Sequence, residues 1–96
     1  MNIAFNKKDG ELTVSLDGRL DTITAPELES FLGEHYEGTA SLMFNCEKLI
    51  YISSAGLRVL LAAHKRMKGA MKLMNVNELV MEVLEMTGFA DVWEIV

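Results

Sequence analysis

Residues 41–68, SLMFNCEKLIYISSAGLRVLLAAHKRMK, contain the strand-to-helix transition that decides the fold. The apolar run from Ser41 to Asn45 predicts a central strand that is covered on both faces. A helix is expected from about Ser54 to Lys68. Its middle part, Leu57 to Ala63, is apolar nearly all round, so we expect this helix to be well buried, and Gly69 should end it.

The residues before this region predict two paired strands. Ile3 to Lys7 is typical of a short strand, and Asp9-Gly10 is a common hairpin-turn pair. Glu11 to Leu16 alternates between apolar and polar side chains, which predicts a second strand paired with the first. We expect Asp17 to Ile23 to form a loop that leads to a helix.

A helix start follows that loop. Thr24 can cap it, Pro26 fits its first turn without losing a needed hydrogen bond, and Glu27 completes a capping box. An apolar stripe at helical spacing follows, formed by Leu28, Phe31, Leu32 and Tyr36. Gly38 should end this helix.

The C-terminal third predicts one more strand, one helix and a last short strand. Ala70 to Val76 is typical of a strand, Asn77 should cap the helix, and Gly88 should end it. The inward-facing residues of this helix are expected to be Leu79, Val80, Val83 and Leu84. Val92 to Val96 should form the last strand, with Trp93 in the core.

Strands and helices therefore alternate in the order ββαβαβαβ. This order predicts an α/β fold with a mixed, mostly parallel sheet of four to five strands, flanked by about three main helices. Since 96 residues suit one modest core and neither a linker nor a repeat interrupts them, residues 1–96 are expected to form a single domain.

The composition excludes several kinds of partner. The net charge of −5 argues against nucleic acid, which is bound through Lys and Arg, and weakly against an anionic membrane surface. No run approaches the ~20 apolar residues of a membrane span, and the N-terminus lacks the apolar stretch of a signal peptide. The single cysteine, Cys46, is expected to be a buried thiol, and a reducing cytoplasm suits a chain that cannot form a disulfide.

Enzymatic chemistry finds little support in the sequence. His35 and His64 lie on different expected helices without further ligands at metal-binding spacing, and no glycine-rich phosphate loop is present. A hydrolase elbow would need glycine two residues before and after its serine, but Ser54 is preceded by Ile52 and followed by Gly56. His64 would lie about three turns down the same helix. We therefore expect no enzyme, metal or cofactor.

Ser53 and Ser54 leave two interpretations open. Serine is a favoured N-cap, worth about 1 kcal/mol over alanine, so one of the pair can be explained as a helix cap. A cap does not explain two hydroxyls beside Gly56, a residue that allows another backbone to approach closely. From the residues alone, a structural cap and a functional site are equally supported.

Three segments resemble one family. They are Gly18-Arg19-Leu20-Asp21-Thr22-Ile23-Thr24-Ala25-Pro26-Glu27-Leu28, Tyr51-Ile52-Ser53-Ser54-Ala55-Gly56-Leu57-Arg58-Val59-Leu60-Leu61 and Met86-Thr87-Gly88-Phe89. With them the chain resembles, from end to end, a STAS domain of the anti-sigma factor antagonist type. The resemblance implies the STAS fold, a mixed sheet flanked by helices.

The resemblance also implies a bacterial partner switch. An anti-sigma factor that is itself a serine kinase of the GHKL type phosphorylates one serine at the start of the second helix, and a metal-dependent serine phosphatase removes the phosphate. The unphosphorylated antagonist binds the kinase and frees the sigma factor. The serine at that place is Ser54. Ser53 stands where some members carry Asp, and this difference keeps Ser53 as the less favoured alternative. Ala55 stands where some members carry Ser.

The same resemblance predicts the partner-binding surface. Its residues are Asp21, Thr22, Thr24, Ser53, Ser54, Ala55, Gly56, Leu57 and Arg58. A STAS protein can also serve as a soluble subunit of a lipid-transport or stressosome-like assembly, and this role remains the alternative. A serine hydrolase and a plain structural module are the other two.

Overall fold

The computed structural model describes residues 1–96 and contains five strands and three α-helices. They are β1 (Asn2–Lys8), β2 (Glu11–Leu20), α1 (Ala25–His35), β3 (Ser41–Ile52), α2 (Ser54–Arg66), β4 (Met71–Met74), α3 (Glu78–Thr87) and β5 (Glu94–Ile95). A short 3₁₀-helix, Phe89–Asp91, lies between α3 and β5. The order ββαβαβαβ expected from the sequence is confirmed.

The strands form one sheet in the order β1-β2-β3-β4-β5. β1 and β2 are antiparallel and joined by a hairpin at Asp9-Gly10, while β2, β3, β4 and β5 are parallel. The predicted mixed, mostly parallel sheet is therefore confirmed with five strands. No helix of the chain is both long enough and apolar enough to cross a membrane.

The helices cover one face of the sheet only. Crossovers between parallel strands are almost always right-handed, and three of them that advance in one direction place their helices on the same face. On β3, accordingly, Leu42, Phe44 and Cys46 are buried, whereas Met43 and Asn45 between them are partly exposed. The prediction that this strand is covered on both faces is wrong.

β2 and β3 are longer than their sequence patterns predict. Residues 17–20, expected in a loop, belong to β2 and pair with β3, which continues to Ile52. Irregular register between Ser15 and Asp17, and again between Gly18 and Arg19, marks β-bulges. A bulge breaks the period-two alternation of buried and exposed residues. Because Glu47 and Lys48 are both exposed, the sequence pattern does not show that the strand continues beyond them.

Twenty-one buried residues form a single core cluster between the sheet and the helices. Trp93 lies in it as expected, with its ring stacked on Phe89 at 4.6 Å between centroids. Cys46 is also buried, as expected, and this burial raises the pKa of its thiol to about 12. Every strand from β2 to β4 and every helix contributes to this cluster.

Three details of the helices differ from expectation. Leu79 was expected to face the core but is 68% exposed, because α3 turns only Val80 and Leu84 fully inward. α2 is not buried all round, since Arg58 and Ala62 are exposed. α1 ends at His35, before Gly38, and its last carbonyls accept hydrogen bonds from other side chains: the Thr39 hydroxyl donates to His35 O over 2.6 Å.

Candidate functional site

The carboxyl ends of β2 and β3 bring two loops together. Leu20 and Ile52, the last residues of the two strands, are partners in the parallel register. The backbone N–H of Ser53 then donates to Leu20 O over 2.9 Å. As a result, the turn that starts α2 lies beside the turn of residues 21–24 that starts α1.

The two serines have different places in the first turn of α2. Ser53 is the N-cap: its backbone is extended, with φ −100° and ψ 176°, and its Oγ accepts from Gly56 N over 3.4 Å. Ser54 is the first helical residue, is exposed, and its hydroxyl has no hydrogen-bond partner in the chain. The cap that the sequence could not assign is therefore Ser53, and Ser54 has no structural role of this kind.

Gly56 allows the first turn of α2 to pack against the end of β2. A Cβ at this position would lie 2.7 Å from Leu20 Cγ, 2.9 Å from Leu20 O and 3.0 Å from Ile52 Cγ1. The backbone that approaches Gly56 is thus the chain's own β2. Gly56 and Leu57, two of the predicted partner-binding residues, are buried and lie beneath the surface that the others form.

Asp21 organises the turn before α1. Its Oδ1 accepts from Ile23 N over 3.0 Å and from Thr24 N over 3.1 Å, and its backbone oxygen accepts from Ala25 N over 2.8 Å. The hydrogen bonds to the carboxylate, the one from the Thr24 backbone above all, hold the pKa of this carboxyl below its ordinary value of 3.8. The Arg19 guanidinium, 3.6 Å away, lowers this pKa further.

The predicted capping box at Thr24 and Glu27 does not form. Thr24 has helical φ and ψ of −92° and −20° and makes no side-chain cap. Its hydroxyl instead donates to Arg19 O over 2.7 Å and accepts from Asp21 N over 2.9 Å. In the turn before α1, backbone N–H groups donate to the carboxylate of Asp21 and not to the Thr24 hydroxyl. The capping prediction is therefore wrong.

The remaining predicted residues share one open groove. Thr22, Ala55 and Arg58 line it where the first turns of α1 and α2 meet, and Pro26 and Ala62 continue it along the two helices. Thr22 and Arg58 are exposed, and Ala55 is partly buried. The structure therefore brings Asp21, Thr22, Thr24, Ser53, Ser54, Ala55 and Arg58 to one end of the sheet.

Sequence reasoning missed three residues of this surface. Ile23, at the tip of the turn, is 82% exposed, and Tyr51 is 40% exposed. The Arg19 guanidinium lies 4.4 Å from the centre of the Tyr51 ring and is its cross-strand neighbour. The sequence did contain a signal for Ile23, because it is an apolar residue between the polar residues Thr22 and Thr24. It contained none for Tyr51, because an irregularity in the strand register decides on which face of β3 this side chain lies.

Neither histidine lies near Ser54. His64 is ten residues further along α2, about 15 Å at 1.5 Å per residue. His35 is likewise at the far end of α1, ten residues from Ala25. No three His, Cys, Asp or Glu side chains are grouped so that they could hold a metal ion. A serine–histidine pair at Ser54 is therefore out of reach in this fold.

Two curated relatives span nearly all of the chain. BtrV of Bordetella bronchiseptica, named as an anti-sigma factor antagonist, is 32% identical over 99% of this chain and 85% of its own length. The anti-sigma-B factor antagonist of Bacillus subtilis is 28% identical, and the match covers 99% of this chain and 90% of that protein.

Solved structures share the fold at lower sequence identity. An anti-sigma factor antagonist structure from Thermotoga maritima superposes with a TM-score of 0.89 at 17% identity, covering 97% of this chain and 84% of that one. SpoIIAA, an anti-sigma factor antagonist, superposes in its unphosphorylated form with a TM-score of 0.78 at 14% identity, covering 99% and 87%. The phosphorylated form of SpoIIAA, from Bacillus, gives 0.75 at 14% identity, covering 99% and 91%.

The family model described as the STAS domain matches residues 2–96, which include all five strands and all three helices. The match also includes both turns that meet at the carboxyl ends of β2 and β3. The chain therefore belongs to the STAS domain family.

Proposed function

We propose that this protein is an anti-sigma factor antagonist and that phosphorylation of Ser54 switches it off. In its unphosphorylated form it binds an anti-sigma factor of the GHKL serine kinase type in the cytoplasm, and the sigma factor is released. A metal-dependent serine phosphatase restores the binding form. The names of the relatives support the first part of this proposal, and the geometry at Ser54 supports the second.

The observation that carries the switch is the free hydroxyl of Ser54. It is exposed on the first residue of α2 and has no hydrogen bond that phosphorylation would break. Ser53, in contrast, is partly buried and accepts from Gly56 N. A kinase active site must surround the hydroxyl that it modifies, so Ser54 is the better acceptor of the two.

A phosphate on Ser54 suits the isolated domain. It adds about −1.5 to −2 charges at neutral pH, and the N-terminus of a helix favours negative charge through its free N–H groups and its dipole. The first turn of α2 contains no acidic residue that already occupies this position. The domain is therefore expected to keep its fold when it is phosphorylated.

Phosphorylation of Ser54 should instead weaken binding to the kinase. A doubly charged phosphate at the centre of the contact surface must be desolvated when the partner binds, and the ionised Asp21 on the adjacent turn adds negative charge. A loss of about 3 kcal/mol would already reduce the affinity about a hundredfold. The switch thus acts on the interface and leaves the domain intact.

Calorimetry with the cognate anti-sigma factor tests this proposal. Ser54→Ala should bind with an affinity close to that of the original protein, and Ser54→Asp should bind at least tenfold more weakly because it places a charge in the interface. Ser30→Asp is the matched control, since Ser30 is an exposed serine on α1 outside the two turns, and it should bind normally.

Equal affinities for Ser54→Asp and Ser54→Ala would contradict the switch. Failure of the unmodified protein to bind any anti-sigma factor kinase would contradict the function itself. That second result would favour the alternative, a soluble STAS subunit of a lipid-transport or stressosome-like assembly.

A further inference from the structure

α3 exposes an apolar ridge that the proposed function does not use. Leu79 and Met86 are 68% and 80% exposed, although both are large apolar side chains. They are seven residues apart, two turns of the helix, with Val83 between them at the edge of the core. Single exposed apolar residues are ordinary, but here two exposed side chains and the partly buried Val83 between them lie on one helical stripe and form an apolar ridge.

An acidic row runs beside this ridge. Glu78, Glu82 and Glu85 follow the same spacing of four and three residues, one position earlier along the helix. All three are exposed, form no ion pair, and line an open groove with Met81. α3 thus presents an apolar stripe and an acidic stripe in parallel.

The charged side chains on and after α3 are all acidic. From Leu73 to the C-terminus at Val96 the chain contains no Lys, Arg or His. Its acidic residues there are Glu78, Glu82, Glu85, Asp91 and Glu94, and of these only Glu94 has a basic partner, Lys72 at 3.2 Å. A surface with this distribution attracts cationic partners and repels anionic ones.

We propose that the exposed face of α3 binds an amphipathic helix of another protein, in which an apolar stripe lies beside a row of Lys or Arg residues. The ridge supplies the apolar contact, and the three glutamates fix the register and orientation of the partner helix. The ridge lies on α3 and Ser54 on α2, and the proposed binding is independent of the phosphorylation switch.

Two other occupants are disfavoured by the same residues. A two-fold contact between two copies of α3 would bring two acidic rows into one interface with no basic residue of α3 to pair with them, so like charges would repel. An anionic membrane surface would meet the three unpaired glutamates with the wrong sign. A basic helix meets neither obstacle.

A titration followed by ¹⁵N–¹H NMR tests the proposal. The probe is a synthetic helical peptide of about 18 residues, long enough to hold a helix, with a leucine stripe beside a lysine stripe. It should shift the backbone amides of α3 and leave those of residues 53–58 in place. An analogue with glutamate at every lysine position should cause no shift, and Ser54→Asp should bind the lysine peptide normally.

Matched variants distinguish the contributions of the two stripes to binding from the effect of the overall negative charge of the protein. Leu79→Ser with Met86→Ser removes the ridge, and Glu82→Lys with Glu85→Lys reverses the acidic row; each pair should weaken binding about tenfold or more. Glu34→Lys with Glu47→Lys is the control: it changes the net charge by the same amount as the acidic-row pair, but at exposed positions outside α3. This variant should bind the lysine peptide with an affinity within about twofold of that of the original protein. All four positions on α3 are exposed, so these variants should keep their folded circular dichroism spectrum.

Several outcomes would overturn the proposal. They are absence of shifts in α3 with the original protein, equal binding of the glutamate analogue, and equal weakening by the control pair. Binding of the protein to phosphatidylglycerol vesicles through α3 would assign the surface to a membrane. Dimerisation that Met86→Ser abolishes, measured by analytical ultracentrifugation, would assign it to a second copy of the chain.

Discussion

Ser53 and Ser54 are chemically identical neighbours, and their backbone conformations separate them. The extended backbone of Ser53 directs its Oγ back to the N–H of Gly56, whereas the helical backbone of Ser54 directs its hydroxyl to solvent. Propensity rules assign serine to a helix start without choosing between adjacent positions. The residues alone therefore supported a cap and a functional site equally, the family resemblance favoured Ser54, and the structure shows which of the two hydroxyls is free.

The effect of alanine at each serine on the free energy of unfolding should distinguish the helix cap from the modification site. Ser53→Ala is expected to lower the free energy of unfolding by about 0.5–1 kcal/mol, near the low end for a lost cap because the 3.4 Å bond is long. Ser54→Ala should change it by less than about 0.5 kcal/mol. Urea unfolding measures both, and a larger loss for Ser54→Ala would show that the assignment is reversed.

A negative charge on residue 54 should stabilise the isolated domain while it weakens partner binding. Ser54→Asp is expected to raise the free energy of unfolding by about 0.3–1 kcal/mol, because α2 lacks an acidic residue in its first turn. Unfolding at low and high salt checks this, since screening should reduce the gain. Destabilisation by Ser54→Asp would mean that the charge perturbs the fold itself.

Asp21 should make stability depend on pH in the acid range. Because folding lowers the pKa of its carboxyl below 3.8, the group contributes stability at higher pH and loses it as the pH falls through the folded pKa. Unfolding midpoints measured from about pH 6 to about pH 2.5 should therefore drop less steeply below pH ~4 for Asp21→Asn than for the original protein. Parallel curves would contradict this role.

At the scale of elements, α2 depends on a close contact between Gly56 and the end of β2. Gly56→Ala should destabilise the protein by about 1–3 kcal/mol, since the new methyl group meets backbone oxygen as well as side-chain carbon of Leu20. Gly33→Ala is the matched control: it also lies within a helix, but no atom lies within 4 Å of its added Cβ.

The control should change stability in the opposite direction. Gly33→Ala is expected to raise the free energy of unfolding by about 0.5–1 kcal/mol, because alanine loses less backbone entropy than glycine in a helix. Thermal and urea unfolding of both variants would test the contact. A gain in stability for Gly56→Ala as well would show that α2 can shift away from β2 at little cost.

The order of elements could be read from the sequence, but several of their ends and faces could not. Periodicity located every strand and helix because it depends on local spacing. The bulges near Gly18 and Lys48 interrupt that spacing, so the final residues of β2 and β3 were missed. The exposed face of β3 depends on all crossovers having the same hand, and the exposure of Leu79 depends on how α3 sits on the sheet; neither is a local property.

At the scale of the whole molecule, one core joins the sheet to all three helices, and the reactivity of the buried Cys46 thiol reports whether this core stays closed. With a thiol pKa of about 12, roughly one molecule in ten thousand carries the thiolate at pH 8. Iodoacetamide should therefore label Cys46 extremely slowly in the native protein and completely in urea. Rapid labelling under native conditions would show that β3 is exposed by local opening.

The central claim is that one kinase substrate site, Ser54, controls the protein. Phosphopeptide mapping by mass spectrometry, after incubation with the cognate anti-sigma factor kinase and ATP, tests this most directly. We expect a single phosphate on Ser54 and none on Ser53, and no phosphorylation of Ser54→Ala. A phosphate on Ser53 would contradict the account. So would the absence of any phosphate on the protein after incubation with a kinase that is active.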